Sequence, residues 1–262
     1  MNSVNLPAVE VWRGERMYWD LASDEDRLLH LSRYKFARDL FQPAWNCLDA
    51  ACGSGYGASF LADKVRSVDG VDVDPDAINF ARTTYRQHNV TYHCADLQAT
   101  LPFNDENFDA ITSFETLEHV ADQEKMISEF HRVLKPRGML VISTPDRDVS
   151  QRIGLNNHFH VAEVSKTEFV ELLSQSFIVE QLLGHGDGAP VAMHWRTIHQ
   201  FLKLGTRCIS PKLRSQVEYV FSRPFRSLRS RFYKMSVSPI QPDPDIRRTT
   251  FMYAIAVARR RA

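Results

Sequence analysis

Hydrophobic positions alternate between two spacings through the middle of the chain. Short apolar runs of strand length occur at residues 46–50, 67–73, 90–94, 108–113 and 139–143, and segments of helix length separate them. Two more strand-like runs occur later, at residues 177–183 and 251–258. Strands that alternate with helices form a mainly parallel sheet with helices on both faces. The pattern therefore predicts an α/β fold with a seven-stranded, Rossmann-like sheet.

A helix is predicted ahead of the first strand. Ser23 is placed to cap it, and three acidic residues follow in its first turn. Apolar side chains such as Leu29, Tyr34 and Ala37 then recur at helical spacing. An acidic first turn stabilises a helix because it complements the positive end of the helix dipole.

A net charge of zero conceals two parts of opposite sign. The 262 residues include 32 basic and 32 acidic side chains. Residues 1–190 carry 17 basic and 29 acidic ones, whereas residues 191–262 carry 15 and 3. Residues 203–234 hold nine basic side chains against the single acid Glu218. We expect a basic helical insertion between the last two strands, serving either as a solvated face or as a surface for an anionic partner.

Other features of composition exclude several classes of protein. The content of 11 Gly, 12 Pro and 44% hydrophobic residues is that of an ordinary globular chain, neither collagenous nor disordered. The four cysteines lack CxxC spacing, which favours reduced, packed thiols. No apolar run approaches the roughly 20 residues that cross a bilayer, and no signal pattern opens the chain. We expect a cytoplasmic protein, with peripheral contact to an anionic inner membrane surface as an option.

The first chemical motif is a glycine-rich loop after the first strand, LDAACGSGYG at residues 48–57. Glycines let the backbone turn tightly and approach a ligand at the start of the next helix. The loop also satisfies the dinucleotide fingerprint, with Asp72 ending the second strand. However, in a dinucleotide-binding protein the carboxylate of Asp49 would lie beside the negatively charged pyrophosphate, whereas it could pair well with a ligand ammonium group. A third acid, Asp96, follows the third strand. These features favour a ligand with an amino-acid end, a ribose and an adenine, with an NAD-binding protein as the alternative.

With further motifs at the expected spacing, residues 45–183 resemble the class I S-adenosylmethionine-dependent methyltransferases. The motifs are GVDVDPDAI at 70–78, CADL at 94–97, LPFNDENFDAI at 101–111 and RVLKPRGMLVIST at 132–144. The resemblance implies S-adenosylmethionine as cofactor. Together with the change in composition and charge near residue 190, it predicts an N-terminal helical lid (1–44), a cofactor-binding core (45–190), the basic substrate-side insertion (191–248) and a final core strand with a basic tail (249–262).

The resemblance also assigns roles to individual residues of the cofactor site. Asp49 and the backbone of Gly53 and Gly55 would hold the methionine moiety, and Asp72 would accept from the ribose hydroxyls. The adenine contacts follow from the same match. The residues expected to contact the adenine or to line the cofactor pocket are Val73, Asp96, Leu97 and Phe114.

The segment after the fourth strand contains Glu115, Glu118 and His119 in an ExxEH pattern. On a helix these side chains share one face, so two carboxylates and an imidazole can converge. Such a set could bind Mg or Mn, which would lower the pKa of a substrate hydroxyl. The pattern resembles the ExxEH of ubiquinone-pathway O-methyltransferases and of small-RNA 3′-terminal 2′-O-methyltransferases, which use it for metal. His119 as a metal-free base, or as a packing residue, is the alternative.

The resemblance to the RNA enzymes extends to an HxHxxE segment at residues 158–163. In the RNA enzymes a histidine of this segment completes the metal site. His160 is the first candidate for that role here, and His158 is the second. We therefore predict His119, His160 and Glu115 as catalytic residues, and Glu115, Glu118, His119 and His160 as metal ligands. No NPPY or DPPY motif follows the fourth strand, which counts against amino-group methylation. The predicted acceptor is a hydroxyl of a sugar, a glycan precursor or another small molecule, which could carry phosphate. RNA is the second candidate partner, and a non-catalytic Rossmann protein is the third interpretation.

Two further features of the sequence remain open. GER at 14–16 followed by Arg33 and Tyr34 resembles bacterial methyltransferases of polysaccharide and natural-product pathways. Tyr34 would cover the cofactor pocket as part of a lid or pack in the core. Asp146, after the fifth strand, would face the same cleft or cap a helix.

Overall fold

The computed structural model describes residue 22 and residues 24–155, 157–187, 240–242 and 251–261. The predicted lid motif at 14–16, the cap at Ser23 and nearly all of the basic insertion lie outside these residues. Within them the helices are α1 Asp24–Leu40, α2 Tyr56–Ala62, α3 Pro75–Thr84, α4 Gln123–Val133, α5 Arg147–Ile153 and α6 Lys166–Ser174, with a short 3₁₀ helix at Leu117–His119. The strands are β1 Asn46–Ala50, β2 Ser67–Asp72, β3 Val90–Cys94, β4 Phe108–Phe114, β5 Leu134–Pro145, β6 Phe177–Asp187, β7 Gln241–Pro242 and β8 Phe251–Arg260.

The strands form one sheet in the order β3-β2-β1-β4-β5-β8-β6-β7. The five strands from β3 to β5 are parallel, and β8 runs antiparallel between β5 and β6. The seven predicted strands are all present, and the two-residue β7 adds an edge to β6. The predicted Rossmann-like α/β fold is therefore confirmed.

Apolar side chains fill a core on each face of the sheet. On one face, residues of α1, α2 and α3 pack on β1 and β2, around side chains such as Leu61 and Ile78. On the other, residues of α4 and α6 pack on β4 and β5, around Phe130 and Phe169. The parallel strands are thus covered on both sides, which explains why they appear in the sequence as nearly continuous apolar runs.

The order of the strands decides where a ligand can bind. The chain passes from β1 outward to β3 and then returns to β4 on the other side of β1. The connections after β1 and β4 therefore diverge and leave a crevice at the carboxyl ends of the strands. The described helices include none that is long and apolar enough to cross a membrane. Cys47 and Cys52 are free, buried thiols, as predicted, whereas the free thiol of Cys94 is exposed, and Cys208 lies outside the described residues.

Candidate functional site

A cavity of about 920 Å³ opens at the carboxyl ends of β1, β2, β4 and β5. Its wall includes the glycine-rich loop after β1, the turns after β2 and β3, and the segment after β4. The start of β8 adds Met252 and Tyr253 from the far side. The crevice that the strand order creates is therefore the place where most of the sequence motifs meet.

The three glycines of the loop have different roles. Gly53 has φ +54°, lines the cavity, and a Cβ placed on it would meet no atom within 4 Å. Gly55 has φ +90°, and its Cβ would lie 2.6 Å from the Cβ of Ala81. A Cβ on Gly57 would lie 2.0 Å from the ring of Tyr34. Of these three glycines, Gly53 is the one whose backbone faces the cavity. Gly55, which was also predicted to contact the ligand, instead allows the start of α2 to approach α3 closely.

Asp72 ends β2 at the predicted ribose position on the cavity wall. It is 5% exposed, and its two oxygens accept hydrogen bonds from Gly53 N and Asp74 N, each at 2.9 Å. These bonds fix the orientation of the carboxylate on the cavity wall. Val73 follows with 57% of its surface exposed, as an apolar face toward the cavity.

The predicted adenine contacts lie around the same end of the cavity. Asp96 and Leu97 both line it, and Oδ1 of Asp96 accepts from Gln98 N at 2.8 Å. Phe114 lines the cavity from β4 and meets the ring of Tyr34 edge-on, with centroids 4.9 Å apart. Tyr34 packs in the core, where it is 4% exposed, and it also forms part of the cavity wall. Its predicted role in a lid stays a prediction.

Asp49 lies behind the cavity wall, in contrast to its predicted role as a contact of the methionine ammonium. It is fully buried and accepts hydrogen bonds from Thr112 Oγ1 at 2.8 Å and from the Tyr34 hydroxyl at 3.2 Å. The backbone of Ala58 in α2 also donates to it, and burial raises its pKa to about 7. The position of Asp49 therefore favours a role in fixing Tyr34 and the start of α2.

The segment after β4 does not form the α-helix that the ExxEH pattern predicted. Only Leu117–His119 is helical, as one 3₁₀ turn, and Glu115 precedes it with φ +51°. The Glu115 carboxylate accepts from Ser143 Oγ at 2.7 Å and lies 3.7 Å from Nη2 of Arg33. The left-handed turn thus separates Glu115 from the other two residues, and the predicted convergence of all three on one helix face is wrong.

Glu118, His119 and His160 come together, with potential ligand atoms all within 4.8 Å of one another. Glu118 is 1% exposed and accepts from Thr144 Oγ1 at 3.0 Å. Burial, and then the charge of Glu115, raise its pKa well above the usual value. Nδ1 of His119 lies 3.0 Å from the carbonyl of Phe159, which can only accept, so a neutral His119 carries its proton on Nδ1.

His160 is held by hydrogen bonds on both ring nitrogens. Its Nδ1 contacts Glu163, and its Nε2 lies 2.8 Å from the Asn157 side-chain nitrogen. Phe159 N donates to Asn157 Oδ1 at 3.1 Å, which assigns the amide and makes its NH₂ the donor to His160. His158, the second choice for this role, lines the cavity and stacks beside Phe159 instead.

The comparisons with known proteins agree with this geometry. Residues 48–142 match the family described as methyltransferase domain. A probable S-adenosylmethionine-dependent methyltransferase of Mycolicibacterium smegmatis is 38% identical over 149 residues, covering 55% of this chain and 56% of the relative. A probable S-adenosylmethionine-dependent methyltransferase of Mycobacterium tuberculosis is 33% identical over 184 residues, covering 68% of this chain and 65% of the relative. The chain contains a class I S-adenosylmethionine-dependent methyltransferase domain.

Other relatives extend the comparison in fold and in chemistry. The methyltransferase domain is 37% identical over 103 residues to the ubiquinone biosynthesis O-methyltransferase of Coxiella burnetii, covering 38% of this chain and 44% of the relative. A methyltransferase of Thermotoga maritima shares the fold with a TM-score of 0.59 at 16% identity. The match covers 90% of this chain and 92% of the Thermotoga protein. The N-methyltransferase NodS of Bradyrhizobium japonicum, solved with S-adenosylhomocysteine, also shares the fold. Its TM-score is 0.53 at 20% identity, and the match covers 66% of this chain and 85% of NodS. The chain spans 56% to 65% of the first three curated relatives that it matches.

The cluster in this methyltransferase domain fits a metal ion only in part. It offers one carboxylate and two imidazoles, which suits later first-row metals better than the predicted Mg or Mn. Glu115, predicted as a ligand, is turned toward Arg33. His160 could bind a metal through Nε2 only after the Asn157 amide turns away, because that amide donates to the same lone pair.

Several residues of the site carried no signal in the sequence. His30 and Tyr56 on the helical face, and Tyr253 on β8, line the cavity together with the predicted residues. Their positions depend on how α1, α2 and the last strand pack against the sheet. Asp146 caps α5 by accepting from Asp148 N at 3.1 Å, which decides between its two predicted roles.

Proposed function

We propose that this methyltransferase domain transfers a methyl group from S-adenosylmethionine to a hydroxyl of a sugar, a glycan precursor or another small biosynthetic acceptor. The observation that carries the proposal is the placement of His119. Its Nδ1 is fixed by the Phe159 carbonyl, so Nε2 is the basic nitrogen of the neutral ring, and it lies on the cavity wall 3.9 Å from Glu118. A histidine in this state can accept a hydroxyl proton.

The cofactor would extend along the carboxyl edge of the sheet. The loop of Gly53 would take the methionine moiety, Asp72 the ribose hydroxyls, and Val73 with Asp96 the adenine. Asp72 would suit the ribose of either S-adenosylmethionine or NAD. The match of residues 48–142 to a methyltransferase domain supports S-adenosylmethionine over NAD for the same glycine-rich loop.

The reaction needs alignment and a base more than it needs stabilisation of charge. The acceptor oxygen attacks the methyl carbon in line with the carbon–sulfur bond, and the positive charge of the sulfonium disappears as that bond breaks. The hydroxyl proton passes to Nε2 of His119. The products are a methyl ether, S-adenosylhomocysteine and a protonated base, which then releases its proton to water.

A metal-assisted version of the same proposal uses the same residues. Glu118, His119 and His160 would hold the ion, which would supply Lewis acidity toward the acceptor hydroxyl. The 37% identity to a ubiquinone biosynthesis O-methyltransferase supports oxygen as the methylated atom. The same cluster also keeps 2′-O-methylation of an RNA 3′ end as the second candidate.

Titration calorimetry combined with a transfer assay tests the proposal. S-adenosylhomocysteine and NADH are titrated separately into the purified full chain. Radiolabelled methyl transfer is then measured to monosaccharides, sugar phosphates, phenols and short RNAs, with and without EDTA. Binding of S-adenosylhomocysteine but not NADH, followed by transfer to a hydroxyl acceptor, is the expected result. NADH binding in its place, or transfer only to amines, would contradict it, and loss of transfer in EDTA would select the metal-assisted version.

A further inference from the structure

Three aromatic side chains lie together on the cavity wall, beside the glycine-rich loop. Tyr34 from α1, Tyr56 at the start of α2 and Phe114 at the end of β4 all line the cavity. The ring of Tyr34 meets that of Phe114 with 4.9 Å between centroids and 89° between planes. It meets the ring of Tyr56 at 5.5 Å and 77°. These three residues form an aromatic cluster in which Tyr34 is nearly perpendicular to both neighbours.

Hydrogen bonds and packing hold the two tyrosine rings of the aromatic cluster in place. The Tyr34 hydroxyl donates to Asp49 behind the wall at 3.2 Å, and the Tyr56 hydroxyl pairs with Nδ1 of His30 at 3.1 Å. Gly57 packs against the Tyr34 ring, since a Cβ at this glycine would lie 2.0 Å from it. Side chains that are already fixed lose little freedom when a ligand binds against them. The aromatic cluster is therefore preorganised.

The strand register places the aromatic cluster between the ribose position and the proposed base. Strands β2 and β4 lie on either side of β1, and their registers, continued by one or two residues, put Asp72 and Phe114 level with Ala51. Two strand spacings, about 10 Å, therefore separate Asp72 from Phe114. His119 follows in the segment after β4 and contacts His160, whose segment follows β5 on the other side of β4.

S-adenosylmethionine carries its reactive positive charge in this interval. One methylene group joins the sulfonium sulfur to the ribose, and the methyl group on that sulfur must face the acceptor oxygen. With the ribose at Asp72 and the acceptor at His119, the sulfonium would lie between them. The aromatic cluster forms the wall there.

The chemistry of a sulfonium suits aromatic rings. It has no N–H or O–H group, so it cannot donate a conventional hydrogen bond, and in this respect it resembles a quaternary ammonium group. Quaternary ammonium ligands are bound by cages of aromatic rings, whose negative faces attract the cation. The neighbouring carboxylate on the wall, Glu115, lies 3.7 Å from the guanidinium of Arg33, which offsets its charge.

We propose that Tyr34, Tyr56 and Phe114 form a sulfonium subsite, an aromatic cage that binds the positive charge of S-adenosylmethionine. This inference rests on the proposed function and adds how the domain distinguishes the methyl donor from its product. S-adenosylhomocysteine is a neutral thioether at the same atom, so it gains no cation–π attraction. Loss of the charge during transfer thus weakens binding of the product and favours its release.

Calorimetric titration of the purified full chain with S-adenosylmethionine and with S-adenosylhomocysteine tests the subsite without turnover. Phe114→Leu should weaken binding of S-adenosylmethionine about 5- to 30-fold, the range expected for a desolvated cation–π contact. Binding of S-adenosylhomocysteine should change less than about twofold, which also shows that the variant is folded. The matched control is Phe103→Leu, whose ring packs on Phe108 with centroids 4.9 Å apart, and it should change neither affinity.

Fluorinated phenylalanines at position 114 separate electrostatics from packing. Successive fluorine atoms weaken the negative face of the ring and change its size little. The affinity for S-adenosylmethionine should fall stepwise with the number of fluorine atoms, while that for S-adenosylhomocysteine stays constant. Tyr34→Phe keeps the ring without the hydroxyl and should preserve the ratio of the two affinities, whereas Tyr34→Leu should lower it.

Three results would overturn the subsite. One is an equal loss of affinity for both ligands in Phe114→Leu, which would make the ring a packing surface only. Another is an affinity for S-adenosylmethionine that does not follow fluorination. The third is a change in the ratio of affinities in Glu115→Gln but not in Phe114→Leu, which would assign the sulfonium to the carboxylate. A wild type that binds neither ligand would instead contradict the proposed function itself.

Discussion

The cavity has two ends under the proposed function: an adenosine end around Asp72 and Asp96, and an acceptor end around Glu118 and His119. The two ends differ in how completely their polar groups are paired. At the adenosine end, Asp72 and Asp96 accept hydrogen bonds from backbone N–H groups of their own turns. At the acceptor end, Arg33 and Glu118 are each 1% exposed, and Arg33 has no hydrogen-bond partner within the described ranges. The adenosine end therefore pairs its carboxylates within local turns, whereas at the acceptor end the guanidinium of Arg33 is buried without a hydrogen bond from the described residues, which costs stability.

The backbone does not share this contrast. In the glycine-rich loop, Ala51 has φ +62° beside Gly53 with φ +54°, and after β4 Glu115 has φ +51°. Both ends of the cavity therefore hold a non-glycine residue in the strained left-handed region.

The largest expected effect is a loss of cofactor affinity at the adenosine end. Asp72→Ala should lower the affinity for S-adenosylhomocysteine by about 100-fold or more, because two charge-assisted bonds of about 1.5–3 kcal/mol each would be lost. Calorimetric titration measures it. The matched control is Asp69→Ala on the same strand, whose carboxylate pairs with His93 away from the cavity. Equal affinities of the two variants would refute the ribose assignment.

The next effect separates the acceptor end from the adenosine end. His119→Asn should reduce kcat by about 10²–10⁴-fold, the usual contribution of a positioned base, while affinity for S-adenosylhomocysteine changes less than about twofold. Single-turnover methyl transfer and calorimetry give the two numbers. A parallel loss of both would show that His119 supports the cofactor, and His131→Asn on α4 serves as the control for a histidine distant from the cavity.

A third change tests the packing that supports the loop between the two ends. Gly57→Ala should lower the free energy of unfolding by about 1–3 kcal/mol, because the new methyl group would overlap the ring of Tyr34. Urea unfolding followed by circular dichroism measures it. Ala58→Gly, at the next position of α2, controls for the change in helix propensity. An unaltered stability in Gly57→Ala would mean that Tyr34 moves freely.

The smallest effect concerns pH and two histidines near Arg33. Burial, followed by the charge of Arg33, lowers the pKa of both His30 and His185 to about 3. The unfolded chain protonates them near pH 6.5, so it binds more protons than the native state between about pH 6.5 and pH 3. The free energy of unfolding should therefore fall as the pH falls through this window, by at most about 1.4 kcal/mol per pH unit for each histidine.

Urea unfolding at several pH values between 7 and 4 measures this slope. His185→Gln should flatten it, whereas substitution of the exposed His88 by Gln should not. An identical slope in His185→Gln would show that His185 gains protons equally in both states. In that case His185 would not count among the buried groups that distinguish the acceptor end from the adenosine end.

The sequence by itself determined the sheet and most of the adenosine end. Strand periodicity predicted the seven main strands, and the ends of β2 and β3 placed Asp72 and Asp96 on the cavity wall. These features follow from local rules, since side-chain alternation and turn chemistry act over a few residues. The methyltransferase motifs were recognisable for the same reason, because they lie on consecutive strand ends.

Only the tertiary structure decided the acceptor end. A helical interpretation of the ExxEH pattern joined Glu115 to Glu118 and His119, but the left-handed turn at Glu115 separates them. Asp49 was expected in the cavity and lies behind Tyr34. Arg33 and Tyr253 meet across 220 positions of the chain, a contact that no local pattern encodes. The packing of α1 and β8 against the sheet is a long-range outcome, and it determines which buried charges face one another.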